Sequence, residues 1–141
     1  MRCLALDVGD ERIGVAVSDE GGALAQPLEV IARVAGAASY RRLAEIIARY
    51  GVSVIVVGLP LLADGSEGKQ ARSARAYVRG LQQHIATPVV YWDERYTTAD
   101  AHQLLSDAGA TRRRRQRRID AVAAAVILQQ YLNDQAGGST S

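Results

Sequence analysis

Three carboxylates fall at positions that ordinary packing does not explain. Asp7 sits inside the apolar run "LALDVG" of residues 4–9. Desolvating a lone ionised Asp costs about several kcal/mol unless a cation or hydrogen-bond donors compensate. Glu94 follows Asp93 at the end of "PVVYWDE", residues 88–94. Asp120 leads the apolar stripe of a helix expected over 117–133. At about 100° per residue, Asp120, Ala124, Ile127, Leu128 and Tyr131 share one arc of that helix. Converging carboxylates repel and push one another toward the neutral form, and a divalent cation reverses that tendency. An all-oxygen donor set suits Mg²⁺ or Mn²⁺, which keep several waters and share their remaining positions with phosphate. Two such ions activate a water and stabilise the leaving oxygen when a phosphodiester is cleaved.

Each acid has a plainer alternative. Asp7 could cap the turn that follows it, although Asp10 serves that turn better. Glu94 could pair with Arg95 or lie solvated in a loop, and Asp120 could be the favourable N-terminal charge of its helix. Taken together, the three point to a catalytic and metal-binding trio.

The elements that must bring these acids together are legible as patterns. Residues 2–9 and 12–19 are β-rich runs separated by Asp10 and Glu11, and they predict a hairpin. A third strand is expected over 24–33, and its Pro27 suits a sheet edge. Residues 39–51 place Tyr40, Leu43, Ala44, Ile47 and Tyr50 on one helical face that stops at Gly51. The continuous apolar run 53–60 reads as a strand covered on both faces. A helix over 67–86, the strand 88–94, a helix over 98–108 capped by Thr97, and the helix 117–133 complete the chain. The expected fold is α/β, with a five-stranded mixed sheet of three antiparallel meander strands followed by parallel crossovers, flanked by helices on both faces.

In such sheets ligands gather outside the carboxyl ends of the parallel strands, where Asp7 and Glu94 fall. Cys3 and Ala5 share the strand face of Asp7, and Gly14, Ala16 and Ser18 form one face of the neighbouring strand. These small side chains predict close packing of the Ala-rich last helix, which would hold Asp120 over Asp7.

Charge is unevenly distributed. Residues 1–66 carry 6 Arg against 8 acids, and residues 67–141 carry 11 basic residues against 7 acids. Arg112, Arg113, Arg114, Arg115, Arg117 and Arg118 crowd the segment before Asp120. Such a block repels itself until a polyanion orders it, so a phosphate-backbone contact is expected there, with Arg12 and Arg95 also facing phosphates. Lys69, Arg72, Arg75 and Arg79 read instead as the solvated face of their helix. The Gly-rich loop 58–68 could hold a phosphate at a helix start or serve only as a connection.

The 141 residues suit a single domain over 1–135, with a flexible tail over 136–141. No secretory leader or membrane span is expected, and the chain reads as cytoplasmic. The single Cys3 excludes an internal disulfide, and with only two His there is no Cys/His cluster for structural zinc. Cys3 is expected in the core.

The blocks 6–19, 56–68, 89–101 and 119–132 resemble, in order, those of the YqgF family, also called Holliday junction resolvase-like proteins or pre-16S rRNA nucleases. The resemblance covers residues 3–133 and implies an RNase H-like fold. It also implies cytoplasmic nuclease activity in processing the 5′ end of 16S rRNA precursor, with Asp7, Glu94 and Asp120 as the acids of metal-dependent catalysis. Glu11 stands where the family commonly has Lys, and Leu62-Ala63 where Asn-Met is common.

Three other functions remain open at this point. One is Holliday junction resolution, which a homodimer would serve by pairing two sites. Another is a non-catalytic RNA-binding module of ribosome assembly. The third is a phosphate-handling ATPase, whose second domain this length does not supply.

Overall fold

The computed structural model describes residues 1–94 and 112–138, with side chains for 1–94 and 120–136. β1 (Arg2–Val8) and β2 (Arg12–Ser18) pair antiparallel from Leu4↔Val17 to Val8↔Ile13. The chain reverses at Gly9, whose N–H donates to the Arg12 carbonyl at 2.8 Å. β3 (Ala25–Ala32) pairs antiparallel with β2, and α1 (Ala38–Tyr50) leads to β4 (Val52–Leu59), parallel to β1. α2 (Lys69–Leu81) crosses to β5 (Val89–Asp93), parallel to β4. The final helix, here α3, spans Arg112–Gly138.

The sheet order is β3-β2-β1-β4-β5, so the strand carrying Asp7 is central. β3 is an edge, as Pro27 predicts, and the register with β2 shifts where Pro27 faces Ala16. Alternation along β1 separates two cores. Leu4, Leu6 and Val8 join Leu43 and Ile46 of α1 and Ala74, Val78 and Leu81 of α2 on one face. Cys3 and Ala5 join Ala124, Ile127, Leu128 and Leu132 of α3 on the other. Cys3 is buried, as expected.

Some boundaries differ from those read in the sequence. α2 ends at Leu81, because the N–H groups of Gln83 and His84 turn back three residues to the carbonyls of Gly80 and Leu81. Its start is delayed to Lys69 because Leu61 bridges Glu67 across a tight loop, closed by the Leu62 N–H to Ser66 carbonyl bond of 2.8 Å. In α1 the fully buried positions are Ser39, Leu43 and Ile46, and Tyr40, Ile47 and Tyr50 flank them half-buried. Ser39 can be buried because its hydroxyl accepts a 2.8 Å hydrogen bond from Tyr77. α3 is longer than 117–133 at both ends. The expected helix over 98–108 and its cap Thr97 lie outside the described residues, and no described helix is long and apolar enough to cross a membrane.

Candidate active site

Asp7 is the last but one residue of β1, on the face shared with Cys3 and Ala5. It lies opposite Gly14 in the antiparallel ladder. Gly14 is what lets α3 approach, because a Cβ built there would overlap the Asp120 carbonyl and crowd the Ala121 nitrogen. Any side chain at Gly14 would therefore push the helix away from the strand that carries Asp7. The small-residue face read from the sequence does what was expected of it: the backbone of Asp120 rests on β2, and the charge of Asp120 acts on Asp7.

Glu94 arrives from the end of β5, its N–H directed to the Leu59 carbonyl at 3.3 Å. A second glycine makes room for it, since a Cβ on Gly58 would meet Glu94 Oε2 and Ile127 Cδ1. The carboxyls of Asp7 and Glu94 are joined by a hydrogen bond. Glu94 is pushed up to about 8 by burial, then by the charge of Asp7 and the hydrogen bond to it, and by Asp93. Asp7 is pushed up to about 6 by burial and by the charge of Asp120, while the bond with Glu94 favours its ionised form. Both shifts run upward, so the pair as a unit holds its protons to higher pH than free carboxyls do.

Asp120 is held differently. The Arg12 Nε donates to Asp120 Oδ2 at 2.8 Å, and Arg12 Nη1 lies 3.9 Å from Glu11. This gives Arg12 a carboxylate partner where a phosphate was expected. Among the described residues no three His, Cys, Asp or Glu side chains surround one point closely enough to hold an ion. The acids form a touching pair, Asp7 with Glu94, and a neighbour turned to Arg12. The donor set nevertheless fits a hard divalent cation. It is all oxygen, and its two innermost carboxyls retain a proton that a cation would displace.

Arg33 was not singled out by sequence reasoning. Its Nη1 donates to the Gly9 carbonyl at 3.0 Å and to Ser73 Oγ at 2.9 Å, and its Nη2 to the Ser73 carbonyl at 3.1 Å. The guanidinium also lies 5.1 Å from the Tyr77 ring centroid. One side chain from the end of β3 thus fastens the turn between Asp7 and Arg12 to α2. No local signal marks it, because its partners are 24 and 40 residues away.

A cleft of about 260 Å³, lined by Gly9, Asp10, Glu11, Arg12 and Asp120, opens along this turn. Arg112, Arg113, Arg114, Arg115, Arg117 and Arg118 lie on the first turns of α3, in the helix that carries Asp120. Arg95 lies outside the described residues. On α2, Arg75 makes two hydrogen bonds to Glu67, at 2.6 and 2.8 Å, and covers the Tyr91 ring. Lys69, Arg72 and Arg79 are exposed, as expected of a solvated face, and Arg75 is half-buried by these contacts.

A five-stranded mixed sheet in the order β3-β2-β1-β4-β5, with acids at the carboxyl ends of β1 and β5, is the architecture of the RNase H-like fold. Solved structures share this fold. Thermus thermophilus RuvC in complex with a Holliday junction substrate matches with a TM-score of 0.58 at 18% identity, over 97% of each chain. The Fowlpox virus resolvase in complex with Holliday junction DNA matches with a TM-score of 0.58 at 12% identity, over 96% of this chain and 99% of the other.

The chain belongs to the RuvX family: the family model described as "RuvX: Holliday junction resolvase" matches residues 1–134. Its relatives include proteins named "Putative pre-16S rRNA nuclease". The one from Desulforudis audaxviator is 44% identical over 138 residues, covering 98% of each chain. The one from Moorella thermoacetica is 49% identical over 133 residues, covering 94% of this chain and 95% of the relative.

Proposed function

We propose that the protein is a divalent-metal-dependent nuclease that hydrolyses phosphodiester bonds of 16S rRNA precursor at its 5′ end, in the cytoplasm. The observation that carries this reading is the hydrogen-bonded pair Asp7 and Glu94, two carboxyls at one sheet edge that retain a shared proton. Asp7 and Glu94 are the principal ligands for Mg²⁺ or Mn²⁺, and Asp120 completes the set. The bound cation supplies a polarised phosphate and a water of lowered pKa. Gly14 and Gly58 fix the spacing of the acids, and Arg33 holds the turn from which Arg12 reaches the cleft. Arg12, Arg95 and the block Arg112, Arg113, Arg114, Arg115, Arg117 and Arg118 hold the phosphates of the strand. The names borne by the relatives support pre-rRNA as substrate.

A second reading, Holliday junction resolution by a homodimer, is favoured by the family description and by two structures of this fold that hold junction DNA. One assay separates the two. Cleavage of single-stranded RNA, single-stranded DNA and a four-way junction is compared for wild type and Asp7→Asn in Mn²⁺ and Mg²⁺. The rRNA reading expects cleavage of single-stranded RNA that Asp7→Asn abolishes, and the resolvase reading expects paired nicks in the junction. Salt-dependent binding with no cleavage in either metal would instead make the chain an RNA-binding assembly module.

A further inference from the structure

We propose that Arg12 is a positioning residue that holds the Asp120 carboxylate until a phosphate of the bound strand takes its guanidinium, so that strand and divalent cation each strengthen the binding of the other. This inference rests on the reading of Asp7, Glu94 and Asp120 as cation ligands.

The geometry supplies both halves of such a device. The Arg12 Nε to Asp120 Oδ2 bond of 2.8 Å joins two side chains that are 38% and 18% exposed, so the ion pair is open to competition on the Arg12 side. Both residues line the 260 Å³ cleft, together with the turn Gly9, Asp10 and Glu11. The backbone of Arg12 is fixed by its pairing with Ala32 and by the Gly9 N–H to Arg12 carbonyl bond. The backbone of Asp120 is fixed against Gly14. Both side chains face the cleft, where a partner could be exchanged.

In the metal-free protein the Arg12 guanidinium is a charge partner of the Asp120 carboxylate. Binding of a cation by Asp120 Oδ2 would compete with the Arg12 bond, and another anion on the guanidinium would relieve that competition. A phosphate is suited to that task, because its oxygens accept the guanidinium fork as a carboxylate does. Reciprocity then requires that the cation raise strand affinity by the same factor by which the strand raises cation affinity.

The test is a calorimetric titration of Mn²⁺ into wild type and Arg12→Gln, each with and without a short phosphorothioate strand. Arg12→Gln is expected to bind Mn²⁺ more tightly than wild type in the absence of the strand. The gain on adding the strand should be roughly tenfold larger in wild type than in Arg12→Gln. With Asp120→Asn as background, that difference should vanish. A guanidinium acting only as a local positive charge, or bridging Asp120 and phosphate together, would leave the gain equal in both proteins, and that result overturns the inference. Absence of Mn²⁺ binding in wild type under all conditions would instead remove the cation reading itself. One measurement needs no variant: the ¹³C carboxyl shift of Asp120 should move when the strand is added to metal-free wild type. An unmoved signal with strand bound would also overturn the proposal.

Discussion

A side chain on Gly14 would occupy the space taken by the backbone carbonyl of Asp120. Because Gly14 is also the ladder partner of Asp7, the same residue sets how near the two acids come. The obstructing atoms are helix backbone and cannot rotate aside. Gly14→Ala should therefore cost about 1–3 kcal/mol through overpacking, read as a lower urea midpoint. Mn²⁺ affinity should fall with it. Unchanged stability would mean that α3 can shift outward without loss.

The acid pair makes stability depend on pH in the metal-free protein. Glu94 keeps a proton up to about 8, against 4.5 in the unfolded chain, and Asp7 up to about 6, against 3.8. In these windows the folded state binds more protons than the unfolded one, so stability falls as pH rises. It is fully present below about pH 4 and lost progressively as pH approaches about 8. Glu94→Gln should flatten the decline, and Mn²⁺, which binds the folded state, should restore stability most at the alkaline end. Urea unfolding between pH 4 and 9 reads both effects. A wild-type profile rising over the same range would contradict the shared proton.

Arg33→Gln should cost about 1–3 kcal/mol, because it removes charge-assisted bonds to the Gly9 carbonyl and to Ser73. The turn it fastens carries Arg12, so the variant should also raise KM for nucleic acid while kcat changes less. Thermal unfolding and steady-state kinetics check the two parts. A variant as stable as wild type would show that the turn holds itself.

Binding should weaken steeply with salt through the arginines of α3. Each phosphate contact contributes about −0.7 to the slope of log affinity against log salt for a single strand. Replacing Arg113, Arg114 and Arg117 with Gln should therefore flatten the slope by up to about 2. Fluorescence anisotropy across a salt series measures it. An unaltered slope would exclude this block from the interface.

The sequence alone determined the types of the described strands and helices and the faces of β1 and α3 that turn inward. These follow from local periodicity: alternation separates Cys3 and Ala5 from Leu4 and Leu6, and helical spacing aligns Asp120 with Ala124, Ile127 and Leu128. The small residues Gly14 and Ala16 also announced where a helix could come close. The partners of the charged side chains were decided only by tertiary structure. Arg12 meets Asp120 across 108 residues, and Arg33 meets Ser73 across 40. Such pairings depend on where the sheet order β3-β2-β1-β4-β5 leaves each strand end, and local pattern does not encode that distance. The proton shared by Asp7 and Glu94 belongs to the same class. It arises from burying two acids side by side, which happens only when β1 and β5 end at one edge of the folded sheet.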